Sequence, residues 1–326
     1  MARIFAYIIH KGGAPDDTAA ELIAAVKKID PAASPTAIVL GYGAELDTVC
    51  TTLRSSFAEV WKVTQETLAY PNAELIRKAL VRVVPANSIV LVPHEHFGID
   101  LAPGLSIKLN SAFVSDVLAI EGIEGSSLKV VRQEFGGQVS AHVRCAISSG
   151  AVVTIRPGAF KPPESAAVNG NVVDKSAEVG ALTAKRRYLE TVVAEAGDVD
   201  ITKYNVLVSI GRGIQEKDNV AIAQELADAL GAAVSCSRPV VDAKWLEKSR
   251  QVGSSGKTVK PKVYLACGIS GSFQHLAGIK GSPFLIAINK NPKAPIFQVA
   301  DVGIVDDILE FLPELTNKVR EMRNVA

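Results

Sequence analysis

Y-N-V-L-V-S-I-G-R-G-I-Q-E-K-D-N-V-A-I-A-Q-E-L-A-D-A-L-G-A-A-V-S-C, running from Tyr204 to Cys236, contains one complete strand–turn–helix–strand unit. Tyr204 to Ile210 is a short β-branched apolar run and reads as a buried strand. Lys217 to Leu230 places Ile222, Leu226 and Leu230 on one face of a helix, and Gly231 follows as a C-cap. Ala233 to Cys236 is then the next strand. Downstream the alternation continues with strands at Lys262 to Ala266 and Phe284 to Ile288, separated by a short helix from Ser272. A closing helix is expected over Asp306 to Phe311, with another after Pro313.

Upstream the same alternation recurs. Ile4 to Ile9 and Thr36 to Leu40 read as strands flanking a helix over Asp17 to Lys28. Asn72 to Val83 reads as a helix with Asn72 as N-cap, followed by the strand Ser88 to Val92. Between Leu128 and Ile155 the pattern shifts to short β-like runs that complete or edge the first sheet. Helices between strands argue for parallel sheets covered on their faces. The expected fold is α/β with two domains, each a mainly parallel sheet flanked by helices, the first of them Rossmann-like. Lys161 to Asn171 reads as an exposed loop. The polar stretch Glu195 to Lys203 marks the boundary, giving domains over 1–198 and 199–326.

The bulk composition excludes several classes. The chain has 326 residues, 48% hydrophobic content and a formal net charge of +1, which favours neither disorder nor a polyanion-binding surface. Its longest basic cluster, Lys185-Arg186-Arg187, reads as a solvated helix face rather than a nucleic-acid stripe. The opening M-A-R-I-F-A-Y-I-I-H is too short for a signal-peptide core, and no apolar run approaches a membrane span. The four cysteines are scattered without a C-x-x-C pair, as expected for a reduced cytoplasmic protein with no metal site.

Candidate site residues crowd into loops after the later strands. G-S-S-G-K-T (Gly253 to Thr258) fails the P-loop pattern, because only two residues separate its glycines and no strand precedes it. G-R-G at Gly211 to Gly213 opens a dinucleotide fingerprint but lacks its third glycine, so alone it reads as a tight turn. Arg212 still stands where a phosphate could be reached. G-I-S-G-S (Gly268 to Ser272) imitates a nucleophile elbow with Ser272 in place of the needed glycine, and His275 is badly spaced for proton transfer to Ser270. A helix N-terminus offering N–H groups to a phosphate is the better reading. Arg238 in C-S-R-P lies at a strand's C-terminal end, where α/β proteins bind ligands. P-H-E-H-F, with His94 and His96, lacks the spacing of a zinc protease.

Several clustered segments give these residues a family. S-R-P-V-V-D-A, Q-V-G-S-S-G-K-T-V, C-G-I-S-G-S-F-Q-H-L-A-G and A-I-N-K-N-P-K-A-P-I-F-Q-V-A-D-V-G-I-V-D-D resemble, in order and spacing, the alpha subunit of an electron transfer flavoprotein. F-G-I-D-L-A-P-G-L, S-A-F-V-S-D-V and T-I-R-P-G-A-F extend the resemblance over nearly the whole chain. It implies a heterodimer with a beta subunit that contacts the first domain, and FAD held by the second. AMP, or a second FAD, is expected in the beta subunit. The implied partners are an acyl-CoA dehydrogenase as donor, in fatty acid oxidation, and a membrane quinone oxidoreductase as acceptor. An NADH-dependent electron-bifurcating flavoprotein is the alternative, since S-R-P-V-V-D is similar to anaerobic bacterial members. A non-redox nucleotide-binding scaffold is the reading from a different class.

The resemblance also assigns roles. Arg212 lies near a phosphate or the isoalloxazine side, Ser237 and Arg238 flank the isoalloxazine, and Val252, Gly253, Ser254 and Ser255 line its polar edge. Ser255 is the implied donor to flavin N5, and Ser254 stands where many relatives have Gln. Ser270, Gly271, Ser272, Phe273, Gln274 and His275 hold the pyrophosphate, with His275 reaching the C2 carbonyl. Asn289, Asp307 and Ile308 hold the adenosine end. An Arg and a His beside the N1–C2=O edge would stabilise negative charge there through charge-assisted hydrogen bonds.

Overall fold

A computed structural model describes residues 3–135, 138–163, 168–190, 199–281 and 283–325. The chain forms two compact units, 1–190 and 191–326. The expected boundary begins within 191–198, which lies outside the described residues.

The first unit runs β1 (Ile4–Tyr7), β2 (His10–Lys11), β3 (Ala14–Pro15), α1 (Thr18–Ile29), β4 (Thr36–Gly41), α2 (Gly43–Leu53), β5 (Glu59–Thr64) and α3 (Ala73–Val83). It continues through β6 (Ile89–Pro93), α4 (His96–Lys108), β7 (Ala112–Glu124), β8 (Ser127–Glu134), β9 (Val139–Ala146), β10 (Ala151–Ile155), β11 (Asn171–Asp174) and α5 (Ser176–Val179). The nine-stranded sheet has the order β11-β5-β4-β1-β6-β10-β7-β8-β9. Pairing is parallel from β11 to β7 and antiparallel through β7, β8 and β9.

Central strands β1, β4, β6 and β10 are buried along their whole length, as strands covered on both faces must be. Alternation sends Ile4 and Ala6 into one core, shared with Leu22 and Val49, and Phe5 and Tyr7 into the other, shared with Leu80 and Leu105. Asn72 caps α3, its Oδ1 accepting the N–H groups of Glu74 at 2.9 Å and Leu75 at 3.4 Å. Such a cap contributes about 1 kcal/mol.

Of the late β-like runs, β10 completes the sheet between β6 and β7, while β8 and β9 edge it. Helices α2 and α4 and strand β5 have no counterpart in the sequence reading. Gly98, Pro103 and Gly104 make α4 a poor helix by propensity, and burial of Leu101 and Leu105 holds it instead. Lys185-Arg186-Arg187 is not on a helix. Its segment is strapped across α3 and α4, with Lys185 N–H donating to Glu74 at 3.0 Å and Arg186 pairing with Asp100 at 3.2 Å. Of the loop expected over Lys161 to Asn171, residues 164–167 lie outside the described residues, and Asn171 already opens β11.

The second unit comprises β12 (Val206–Ile210), α6 (Val220–Leu230), β13 (Ala233–Cys236), α7 (Arg238–Asp242), β14 (Val263–Cys267), α8 (Phe273–Leu276), β15 (Phe284–Ile288), β16 (Val302–Ile304) and α9 (Ile308–Val325). Its five strands are all parallel, in the order β13-β12-β14-β15-β16. The chain moves from β12 to β13 on one flank and returns to β14 on the other. Strand order therefore reverses between β12 and β14, which opens a crevice beyond their carboxyl ends. Pro313 does not divide the closing segment; α9 passes through it unbroken. Pro313 removes a single N–H near the helix start, whereas Ile308, Leu312 and Thr316 all stay buried on the packing face.

Candidate functional site

A cavity of about 690 Å³ lies at the C-terminal ends of the second unit's strands. Four of the five strands, β12 to β15, deliver residues to it. After β12 come Arg212 and Gly213, in a 3-10 turn over Arg212–Ile214. After β13, Ser237 precedes α7 in extended conformation, and Arg238 and Pro239 form that helix's first turn. Beyond β14 the chain contributes Gly268, Ile269 and Ser270, then Ser272, Gln274 and His275. Asn289 follows β15 and braces two loops, its Nδ2 donating to Ile269 O at 2.9 Å while its Oδ1 accepts from Asn291 N–H at 2.9 Å. Gln251, Val252, Gly253, Ser254 and Ser255 close the remaining side.

Close backbone packing makes the floor. Gly213 N–H donates to Gly268 O at 3.1 Å, so the loops after β12 and β14 touch directly. A Cβ at Gly211 would lie 2.8 Å from both the Gly268 carbonyl carbon and Ile269 Cα. The glycine that G-R-G lacks in sequence is thus supplied across space, by Gly268 at φ +65°. On the other wall, Ser254 N–H donates to Gln274 O at 2.7 Å and Val259 N–H to Gly278 O at 2.8 Å. A Cβ at Gly278 would lie 2.5 Å from Gly253 Cα, so these two loops also need a bare backbone.

The cavity carries more positive than negative charge. Asp242 is the one carboxylate among the described lining residues, against Arg212 and Arg238. Arg238 Nε stands 3.4 Å from Asp242 Oδ2, in a pair whose side chains are 69% and 62% exposed, which gives little stability but leaves the guanidinium available at the rim. His275 is buried, with Nε2 2.8 Å from the Tyr264 hydroxyl, itself 2.7 Å from Ser209 Oγ. Burial lowers the His275 pKa to about 4, partly offset by the Val252 backbone, so the ring is uncharged at neutral pH. Cation character at the site therefore comes from the arginines. Tyr264 thus occupies Nε2, and Nδ1 is buried. Burial also pushes the Cys236 and Cys267 thiols, at the ends of β13 and β14, up to about 12.

Four expected residues fall outside the lining. Gly271 turns against Ile296, and Phe273 opens α8. Asp307 pairs with Lys290 at 2.6 Å and accepts the Leu309 N–H at 3.0 Å, which caps α9. Ile308 is core. The expected helix N-terminus is only the four residues of α8, too short for a sizeable macrodipole. The loop offers individual N–H groups instead. Among the described residues, no hydrogen bond takes up the N–H of Gly271 or Ser272. His275 bonds to Tyr264. Gln251, Gly213, Asp242, Pro239, Gly268 and Ile269 line the cavity without having been expected to. Gly213 and Gly268 carried a signal as glycines just after strands, whereas a buried Gln251 carried none.

In the first unit, His94 serves the fold. Its Nδ1 is 2.9 Å from Thr154 Oγ1, and its Nε2 is 3.8 Å from Asp116, which Arg156 clamps through two bonds at 2.9 and 2.6 Å. The cluster pins the bulge at Asp116, whose φ is +59°.

A crevice at a topological switch point, floored by glycines and rimmed by hydroxyls and guanidiniums, defines an α/β protein that binds a nucleotide cofactor. Comparison with known proteins makes this specific. Residues 200–280 match the electron transfer flavoprotein FAD-binding domain, and residues 4–180 match the electron transfer flavoprotein domain. The electron transfer flavoprotein subunit alpha of Methylophilus methylotrophus is 35% identical over 319 residues, covering 97% of this chain and 98% of that one. That of Clostridium acetobutylicum is 35% identical over 296 residues, covering 89% and 88%. The lactate dehydrogenase (NAD(+),ferredoxin) subunit LctC of Acetobacterium woodii is 34% identical, covering 78% of this chain and 60% of its own. The chain belongs to the electron transfer flavoprotein alpha-subunit family. Membership makes it a flavoprotein of electron transport and implies a heterodimer with a beta subunit. Among the described residues, no helix is long and apolar enough to cross a membrane.

Proposed function

We propose that this chain, paired with a beta subunit docked on its first unit, carries electrons from acyl-CoA dehydrogenases toward a membrane quinone oxidoreductase through FAD in the second unit's cavity. One observation carries the reading: twelve of the sixteen residues implied for FAD, scattered from Arg212 to Asn289, line a single cavity whose donors suit an anionic dinucleotide. FAD, when bound, supplies the redox chemistry, so the protein needs no acid–base pair of its own. Arg238 at the rim favours negative charge on the neighbouring ring edge, and Arg212 with the N–H groups of Gly271 and Ser272 neutralises phosphate. The Ser255 hydroxyl donates to flavin N5. Asn289 and the α9 N-terminus at Asp307 and Ile308 form the adenosine end.

The second reading is electron bifurcation from NADH, favoured by the likeness to the Acetobacterium woodii subunit. Counting nucleotides in the purified heterodimer separates the two. One FAD with one AMP, reducible by an acyl-CoA dehydrogenase and substrate, is expected. Two FAD with NADH oxidation would replace the first reading with the second, and a colourless heterodimer would remove both.

A further inference from the structure

Gln251 has not been assigned a role, yet it is the most deeply buried polar side chain facing the cavity: only 3% of it is exposed. Its carboxamide does not serve the core. Nε2 donates to Ser255 Oγ at 2.8 Å, reaching out to a hydroxyl on an exposed turn. The backbone fixes the geometry of this reach. Gln251 pairs with Cys236 as an isolated parallel bridge beside β13, and its carbonyl accepts the Lys257 N–H at 2.7 Å. The turn then folds back so tightly that a Cβ at Gly256 would lie 2.8 Å from the Gln251 carbonyl carbon and 3.0 Å from its Cγ.

A serine hydroxyl has one proton and two acceptor lone pairs. When one lone pair is filled by an amide N–H from the protein side, the proton must point away from that amide. We infer that Gln251 is a positioning residue: it holds Ser255 Oγ as an acceptor from behind, so that the hydroxyl proton is presented to flavin N5. This rests on the placement of Ser255 at N5 proposed above. The choice of side chain matters, because a carboxylate at 251 can only accept and would draw the proton back toward itself.

The test uses the full chain with its beta subunit, loaded with FAD labelled with nitrogen-15, and reads the N5 resonance, which moves upfield when N5 accepts a hydrogen bond. FAD content is measured alongside. Ser255→Ala should move N5 downfield. Gln251→Glu should move it to the same place, and the double variant no further. Gln251→Met, which keeps the volume and loses the donor, should move it partway. A wild-type resonance in Gln251→Glu, with Ser255→Ala shifted, overturns the inference and leaves the Ser255 contact standing. Additive shifts in the double variant also overturn it. An unshifted Ser255→Ala removes the Ser255 contact, and the inference falls with it. Should Gln251→Glu lose FAD, the Gln251→Met arm decides, and an unshifted resonance there is refutation.

Discussion

Replacing Gly211 by Ala tests whether the close approach of two backbone loops forms the cofactor floor. Gly211 has φ −108° and ψ −168°, extended backbone that Ala adopts without strain, so the whole effect is steric. The new methyl would lie 2.8 Å from Ile269 Cα and from the Gly268 carbonyl carbon. Carbon–carbon contacts settle at roughly 3.5–4.0 Å, so the loops must part by about 1 Å. Overpacking of this kind costs about 1–3 kcal/mol. The parting also strains the bonds Gly211 N–H to Cys267 O at 2.9 Å and Gly213 N–H to Gly268 O at 3.1 Å. Each contributes about 1 kcal/mol, while the stiffer unfolded chain gives back ~0.4–1 kcal/mol. A net loss of about 2 kcal/mol follows. If half of that reaches the bound geometry, FAD affinity falls about fivefold, and about thirtyfold if all of it does. Fluorescence titration of deflavinated heterodimer with FAD, together with thermal unfolding, measures both quantities. An Ala variant that binds FAD within twofold of wild type and melts at the same temperature would refute the reasoning.

Arg238→Ala should retain FAD and lower its first reduction potential. For a largely exposed guanidinium worth about 1 kcal/mol, the shift is ~40 mV in spectroelectrochemical titration, and an unchanged potential would contradict the role given to Arg238. His275 is held with a pKa near 4 in the folded state against 6.5 when exposed, so the unfolded chain binds the extra proton first. Stability is full above pH 6.5 and declines as pH falls toward 4, by at most roughly 3 kcal/mol. Denaturant titrations at pH 7 and 5 should show this slope, and His275→Asn should flatten it; an equal slope in the variant would rule His275 out as its source. Cys236 and Cys267, buried with thiols pushed up to about 12, should resist a thiol reagent at pH 8 in native protein and react after unfolding. Rapid native labelling of either would show that β13 or β14 opens at its cavity end.

Elements whose local pattern agrees with their packing were legible from sequence. Strands Ala233–Cys236 and Phe284–Ile288 fall where the apolar runs place them, and Asn72 caps α3 as its residue type predicts. Helix α4 was not legible, because Gly98, Pro103 and Gly104 argue against a helix that only burial of one face sustains. Pro313 misled in the opposite sense, since a local breaking signal was outweighed by contacts of α9 with the core. Site residues divide the same way. Arg212, Ser237, Arg238, Ser270 and Asn289 follow strands directly and reach the cavity because parallel strands all end on one side.

The sequence alone determined the alternation of strands and helices, the family, and the loops that line the second unit's cavity, for these depend on local periodicity and on residue type. Tertiary structure decided which groups meet. Gly268 completes the floor for Gly211 and Gly213 from another strand, and Tyr264 takes one nitrogen of a histidine that burial keeps neutral. Gln251 stands behind Ser255 for the same reason. Distances of a few ångströms between loops far apart in the chain, and the removal of water from a ring, are set by packing and leave no trace in the order of residues.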